Sequence, residues 1–207
     1  MKAPYLSLML AALPALGGPQ ETLAPISLYT EFQQPPSPAV FNALRYEVNS
    51  IMAPAGLRFS WYSLPAAKGA AGSIELAVIT FQGKCDLAGP ISYSFSPGPL
   101  GWTHITNGVI LPFAEVDCQE IRGFIQKKLL IMPAEDRERA YGRAVGRVLA
   151  HELYHIFANT TRHSSGGVGK SKYTVGELLA PRFQLEAREC LALKTSKAHA
   201  ALEAAVF

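Results

Sequence analysis

The chain predicts an α+β fold: a twisted mixed sheet of about four or five strands, packed on an N-terminal helix and a long later helix, with further helices at the C-terminus. Three observations predict it. Stretches of alternating or continuous apolar character at 26–32, 57–64, 74–81 and on both sides of Asn107-Gly108 read as strands. Apolar residues recur at helical spacing over 38–52, over 115–130 and again beyond Pro133. The 207 residues are 49% apolar and only 17% charged, enough to bury a substantial core.

Met1 to Gly18 reads as a secretory signal: Lys2 supplies the positive start, 5–16 is apolar but too short for a permanent anchor, and Ala15-Leu16-Gly17 offers small residues for cleavage. A single domain is expected over 19–207. Ile26 to Phe32 alternates as a first strand, ended by Gln33-Gln34-Pro35-Pro36. Ser37-Pro38 then starts a helix, with serine as N-cap and proline at the first helical position. Val40, Phe41, Leu44, Val48, Ile51 and Met52 follow at helical spacing, and Pro54-Ala55-Gly56 stops them.

Residues 57–64 read as a strand, 65–72 as a flexible loop, and 74–81 as a central strand. Residues 89–101 are rich in Gly, Pro and Ser and should be irregular. Asn107-Gly108 signals a tight hairpin between 100–105 and 109–113. A helix is expected over 115–130, with Val116, Ile121, Ile125 and Leu129 inward. Pro133 opens the next helix, whose early Glu135, Asp136 and Glu138 suit the helix dipole. Thr174-Val175-Gly176-Glu177 is a capping box, so a helix should begin at Val175. Pro181 interrupts it, and a last helix is expected from about Phe183 into the Ala-rich end.

The net charge of +3 is too small to argue for nucleic acid. Lys127-Lys128 and the arginines from Arg137 to Arg147 are expected on solvated helix faces. Beyond the signal, no stretch is long enough to cross a membrane, so a secreted or periplasmic protein is expected. Such a compartment permits a cystine. Three cysteines allow three single bridges; Cys85–Cys118 is favoured, leaving Cys190 alone, against three reduced and buried thiols.

The chemistry concentrates in His151-Glu152-Leu153-Tyr154-His155. Four residues advance a helix by about 400° and about 6 Å, so both imidazoles leave one face a turn apart. That spacing suits two ligands on one Zn²⁺, with Glu152 beside the metal as proton acceptor from activated water. The apolar Ala144, Val145, Val148, Leu149 and Ile156 bury the other side of the helix. A third ligand is needed, and His163 is nearest. Had the helix run on, His163 would lie about 12 Å beyond His155. The chain must therefore reverse, and Ala158-Asn159-Thr160-Thr161 is poor helix, with Asn159 suited to a left-handed cap.

His151-Glu152-x-x-His155, then His163-Ser164 and Gly166-Gly167-Val168-Gly169, resembles the zinc-binding region of the metzincin metallopeptidases, H-E-x-x-H-x-x-G-x-x-H followed by a methionine turn. The resemblance implies a small zincin-like domain with His151, His155 and His163 as zinc ligands and Glu152 as general base. It also implies a peptide or protein substrate, whose backbone would pair with an edge strand; the segment 101–105 is the candidate. The sequence departs from the pattern in three places. Ala158 occupies the glycine position, two extra residues separate the second and third ligands, and no methionine follows Met132. Val168-Gly169 stands about where the methionine belongs. A transition-state donor would be a tyrosine among Tyr141, Tyr154 and Tyr173, between which the sequence does not choose. Two other readings stay open. One is a zincin whose third ligand is a carboxylate, Glu177, Glu186 or Glu189. The other is a non-catalytic, zinc-stabilised or degenerate secreted binding domain. Oligomeric state and substrate are not encoded in any visible motif.

Overall fold

A computed structural model of the chain describes residues 26–66, 75–89 and 98–204. The expected secretory signal lies outside the described residues, as do most of the two expected loops over 65–72 and 89–101.

Among the described residues the fold is α+β, with six helices and a five-stranded mixed sheet whose strands, numbered along the chain, stand in the order β2-β1-β3-β5-β4. Strand β1 (Ile26–Gln34) runs parallel to β2 (Phe59–Ser63) on one side and β3 (Leu76–Lys84) on the other. Strand β5 (Val109–Asp117) is parallel to β3, and β4 (Gly101–Thr106) closes the order as an antiparallel edge strand. The hairpin joining β4 to β5 turns at Asn107 and Gly108, both with positive φ (51° and 78°), as a type I′ connection requires.

Alternation along the strands builds one buried face from Ile26, Leu28, Ala77, Ile79, Phe81, Ala114 and Val116. Helices α1 (Pro38–Met52) and α3 (Ala134–Phe157) contribute Val40, Leu44, Val48, Val145 and Leu149 to the same core. Ser37 caps α1 by accepting the Val40 N–H at 3.2 Å. The two helices cross closely because α3 carries glycine at the contact. A Cβ on Gly146 would lie 2.9 Å from the Leu44 carbonyl oxygen, and one on Gly142 would strike that of Val40.

Helix α2 (Cys118–Leu130) starts three residues later than the sequence suggests. Glu115 and Val116 instead extend β5 along β3, and Asp117 caps the helix by accepting the Glu120 N–H at 2.8 Å. The sheet pairing overrides a helical pattern that continues smoothly across the boundary. Cys85, just past β3, and Cys118, at the start of α2, form the expected disulfide, with Cα atoms 4.9 Å apart; Cys190 is free.

Helix α4 (Val175–Leu179) begins with the expected capping box of Thr174 and Glu177. The last expected helix is two: α5 (Ala187–Lys194) and α6 (Lys197–Ala204), parted at Thr195-Ser196. The start near 187 is set by a second capping box, Glu186 with Glu189. Arg147 is a further correction. It is fully buried rather than solvated. Its guanidinium donates to Glu47 Oε1 at 2.6 Å and to the carbonyls of Glu177 and Ala180 at 2.9 and 2.8 Å. Those acceptors come from α1, from α4 and from the residue that follows it, which no local pattern on α3 reveals. Among the described residues, no helix is long and apolar enough to cross a membrane.

Candidate metal centre

His151 and His155 sit one turn apart in the last two turns of α3, with both side chains buried against the core side of the molecule. The helix ends where the sequence predicts. The Asn159 N–H donates to Ile156 O at 3.2 Å and the Thr160 N–H to His155 O at 3.1 Å, the paired bonds of a Schellman cap. Asn159 takes the left-handed conformation, φ 47°. The cap also orients a ring, because the Thr160 carbonyl accepts from His155 Nδ1 at 2.6 Å. The reversed chain brings His163 back, its ring centroid 5.3 Å from that of His151 and 4.9 Å from that of His155. One ring nitrogen from each of the three lies within 4.8 Å of the others, so His151, His155 and His163 form a group that could hold a metal ion.

The hydrogen bonds decide which nitrogens are available. A carbonyl can only accept, so Nδ1 of His151, 2.7 Å from Val168 O, and Nδ1 of His155 must both carry the proton. Their Nε2 atoms are then bare lone pairs, and they face each other at 3.0 Å. Burial lowers the pKa of His151 to about 4 and that of His155 below its ordinary value, so a shared proton is disfavoured near neutrality. Two neutral lone pairs at this distance repel unless a cation lies between them. Two nitrogens each about 2.05 Å from one ion at a tetrahedral angle stand about 3.3 Å apart. The donor set therefore fits a borderline-soft divalent metal, and the carbonyl partners are the usual outer support of such imidazoles.

Glu152 points into the same cleft from the next position on α3. Thr103 of the edge strand donates to Glu152 Oε2 at 2.8 Å. Burial pushes the Glu152 carboxyl up to about 7, partly opposed by the Thr103 bond. Gly101 lets β4 pass this close, since a Cβ there would lie 3.0 Å from Glu152 Oε1. The cleft opens on two sides of the triad. A cavity of about 230 Å³ lies between β4 and Thr160, Thr161 and His163. A larger one of about 530 Å³ is walled by Leu100, Phe124, Val148, Lys170, Lys172 and Tyr173.

All four expected site residues, His151, Glu152, His155 and His163, thus line one cleft. His104, on β4, faces Glu115 Oε1 at 2.9 Å. The carboxylates considered as third ligands are engaged elsewhere. Glu177 holds Lys170 at 2.5 Å and caps α4; Glu186 pairs with Arg188 at 3.1 Å. Glu189 accepts from the Val168 and Gly169 N–H groups at 3.0 and 2.7 Å.

A Cβ on Gly169 would lie 2.9 Å from both Glu189 Oε1 and the Tyr154 ring, so a side chain there would displace those groups. Val168 is buried, and its backbone carbonyl meets the His151 ring. Of the three tyrosines, Tyr141 donates to the Cys118 carbonyl at 2.7 Å, away from the cleft. The Tyr173 hydroxyl donates to the Val168 carbonyl and lies 3.1 Å from His151 Nδ1, behind the ring rather than in front of it. Thr103 was not legible as a site residue, and Glu189, weighed from the sequence as a metal ligand, instead holds the loop at Val168 and Gly169; each acts across the fold from a strand or helix remote in sequence. The chain matches no family model and no curated protein.

Proposed function

We propose that the chain is a zinc-dependent peptidase of the metzincin-like type that works outside the cytoplasm. The observation that carries this is the pair of unprotonated Nε2 atoms of His151 and His155, 3.0 Å apart, with His163 beside them and a buried carboxyl at Glu152. A zinc ion held by the three imidazoles would supply the Lewis acidity that makes water nucleophilic near neutral pH. Zinc suits an all-imidazole set with an open position.

Glu152 does the proton work. Its carboxyl, which burial raises above the ordinary carboxylate range, is placed to accept a proton from water and return it to a departing amine. Thr103 holds the carboxylate in place, and the bond also ties edge strand β4 to the helix at the reacting position. The outer edge of β4 pairs with no strand among the described residues. A peptide backbone laid along it would bring a scissile carbonyl over the triad. The Cys85–Cys118 bridge fits an oxidising compartment, in keeping with the expected secretory signal.

The test is digestion of a broad peptide library by the zinc-loaded protein, with and without chelator and beside the Glu152→Gln variant. Cleavage that chelator and Glu152→Gln both abolish is expected, with zinc retained in the variant. A zinc-loaded protein that leaves the whole library intact assigns a non-catalytic domain instead.

A further inference from the structure

We infer that Glu189 is a positioning residue of the metal centre, acting through the peptide between Val168 and Gly169 to aim the His151 ring; this rests on the three-histidine reading above. Glu189 lies on α5, 38 positions beyond His151 in the sequence, and is fully buried. Its carboxylate is surrounded by donors. Oε2 accepts the Val168 N–H at 3.0 Å and the Glu186 N–H at 2.7 Å. Oε1 accepts the Gly169 N–H at 2.7 Å and has the Ser164 hydroxyl at 2.7 Å.

The Gly169 N–H and the Val168 C=O belong to one peptide unit. That unit is planar and trans, so its N–H and C=O point in opposite directions. Pinning the N–H on Glu189 therefore aims the C=O the other way, at His151 Nδ1, which donates to it at 2.7 Å. The route from carboxylate to ligand passes through one rigid plane. It fixes both the ring's tilt and its tautomer, leaving Nε2 bare toward the metal. The glycine-rich loop follows from the same contact: side chains at Gly167 or Gly169 would collide with the Glu189 oxygens.

Glu189 also serves as the third residue of the α5 capping box, which is a purely structural task. Two variants separate the tasks. In Glu189→Gln the amide NH₂ must replace one oxygen. Opposite Gly169 it leaves that N–H without an acceptor, and opposite Val168 and Glu186 it faces two N–H groups. Glu189→Asp keeps an acid at the capping position but withdraws it from the loop.

The experiment measures zinc affinity by competition with a chromophoric chelator, the visible spectrum of the Co²⁺-substituted protein, and the His151 tautomer in the metal-free protein by ¹⁵N NMR. Both variants are expected to bind zinc about 10- to 100-fold more weakly than the parent. Altered Co²⁺ bands and a mixed His151 tautomer should accompany the loss. Leu129→Ala, a core variant in α2, should lose stability while keeping all three readouts. Wild-type affinity, spectrum and tautomer in a folded Glu189→Gln or Glu189→Asp overturn the inference. If Glu189→Gln does not fold, Glu189→Asp alone decides. A parent that binds no zinc overturns the metal-centre reading, and the His151 tautomer then decides the Glu189 inference by itself.

Discussion

The hydroxyl of Thr103, on the edge strand, donates to Glu152 Oε2 at 2.8 Å, joining the sheet to helix α3 at the proposed general base. The bond favours the ionised carboxylate, whose burial otherwise raises its pKa. In Thr103→Val this donor is lost and the Glu152 pKa moves further up. A general base works only when ionised, so the acid limb of the pH–rate profile shifts to higher pH. A hydrogen bond to a charged group is worth about 1.5–3 kcal/mol, so kcat/KM near pH 6 should fall by about tenfold or more. The deficit narrows in alkali. An unchanged acid limb in this variant removes Thr103 from the proton chemistry.

His163 and Glu177 compete on paper for the third ligand, but only His163 stands with the pair. After dialysis against metal-free buffer, His163→Ala should retain well under one zinc per chain. Glu177→Ala should keep a full equivalent, because its carboxylate is spent on Lys170 and the Thr174 cap. The check is metal content by atomic emission.

Asn159 turns the chain with φ 47°. Asn159→Gly should be tolerated, since glycine adopts this conformation without a Cβ penalty. Asn159→Val places a β-branched residue there and should destabilise the fold by about 1–3 kcal/mol in urea denaturation. It should also weaken zinc binding, because the next residue's carbonyl orients His155. Equal stability of the glycine and valine variants would contradict the strain at this position.

Glu177 gives a pH signature. The Lys170 bond, then the Thr174 contacts, hold its carboxyl at about 2, below its ordinary 4.5. Its folded-state pKa is depressed, so its contribution to stability is present above the unfolded value. That contribution is lost as pH falls from about 4.5 toward 2. The group is exposed, so the effect is small and should fade with added salt. Chemical denaturation across this window should show a shallower acid decline in Glu177→Gln than in the parent. Parallel declines would show that the carboxylate contributes nothing.

Much of the site was legible because its signals are local. The i, i+4 histidines, the left-handed Asn159, the Asn107-Gly108 hairpin and the Thr174 capping box each depend on a few neighbouring residues. Backbone geometry alone converts such patterns into structure. The sequence by itself thus determined that two imidazoles share a helix face and that the chain must turn back after them. Tertiary structure alone decided where His163 arrives, that Gly101 admits Thr103 to Glu152, that Glu115 and Val116 join a strand, and that Arg147 and Glu189 are buried. Each of these depends on a partner tens of residues away, supplied by sheet pairing or helix packing. Desolvation and hydrogen-bond satisfaction act on whatever the fold brings together, and neither leaves a mark on the local order of residues.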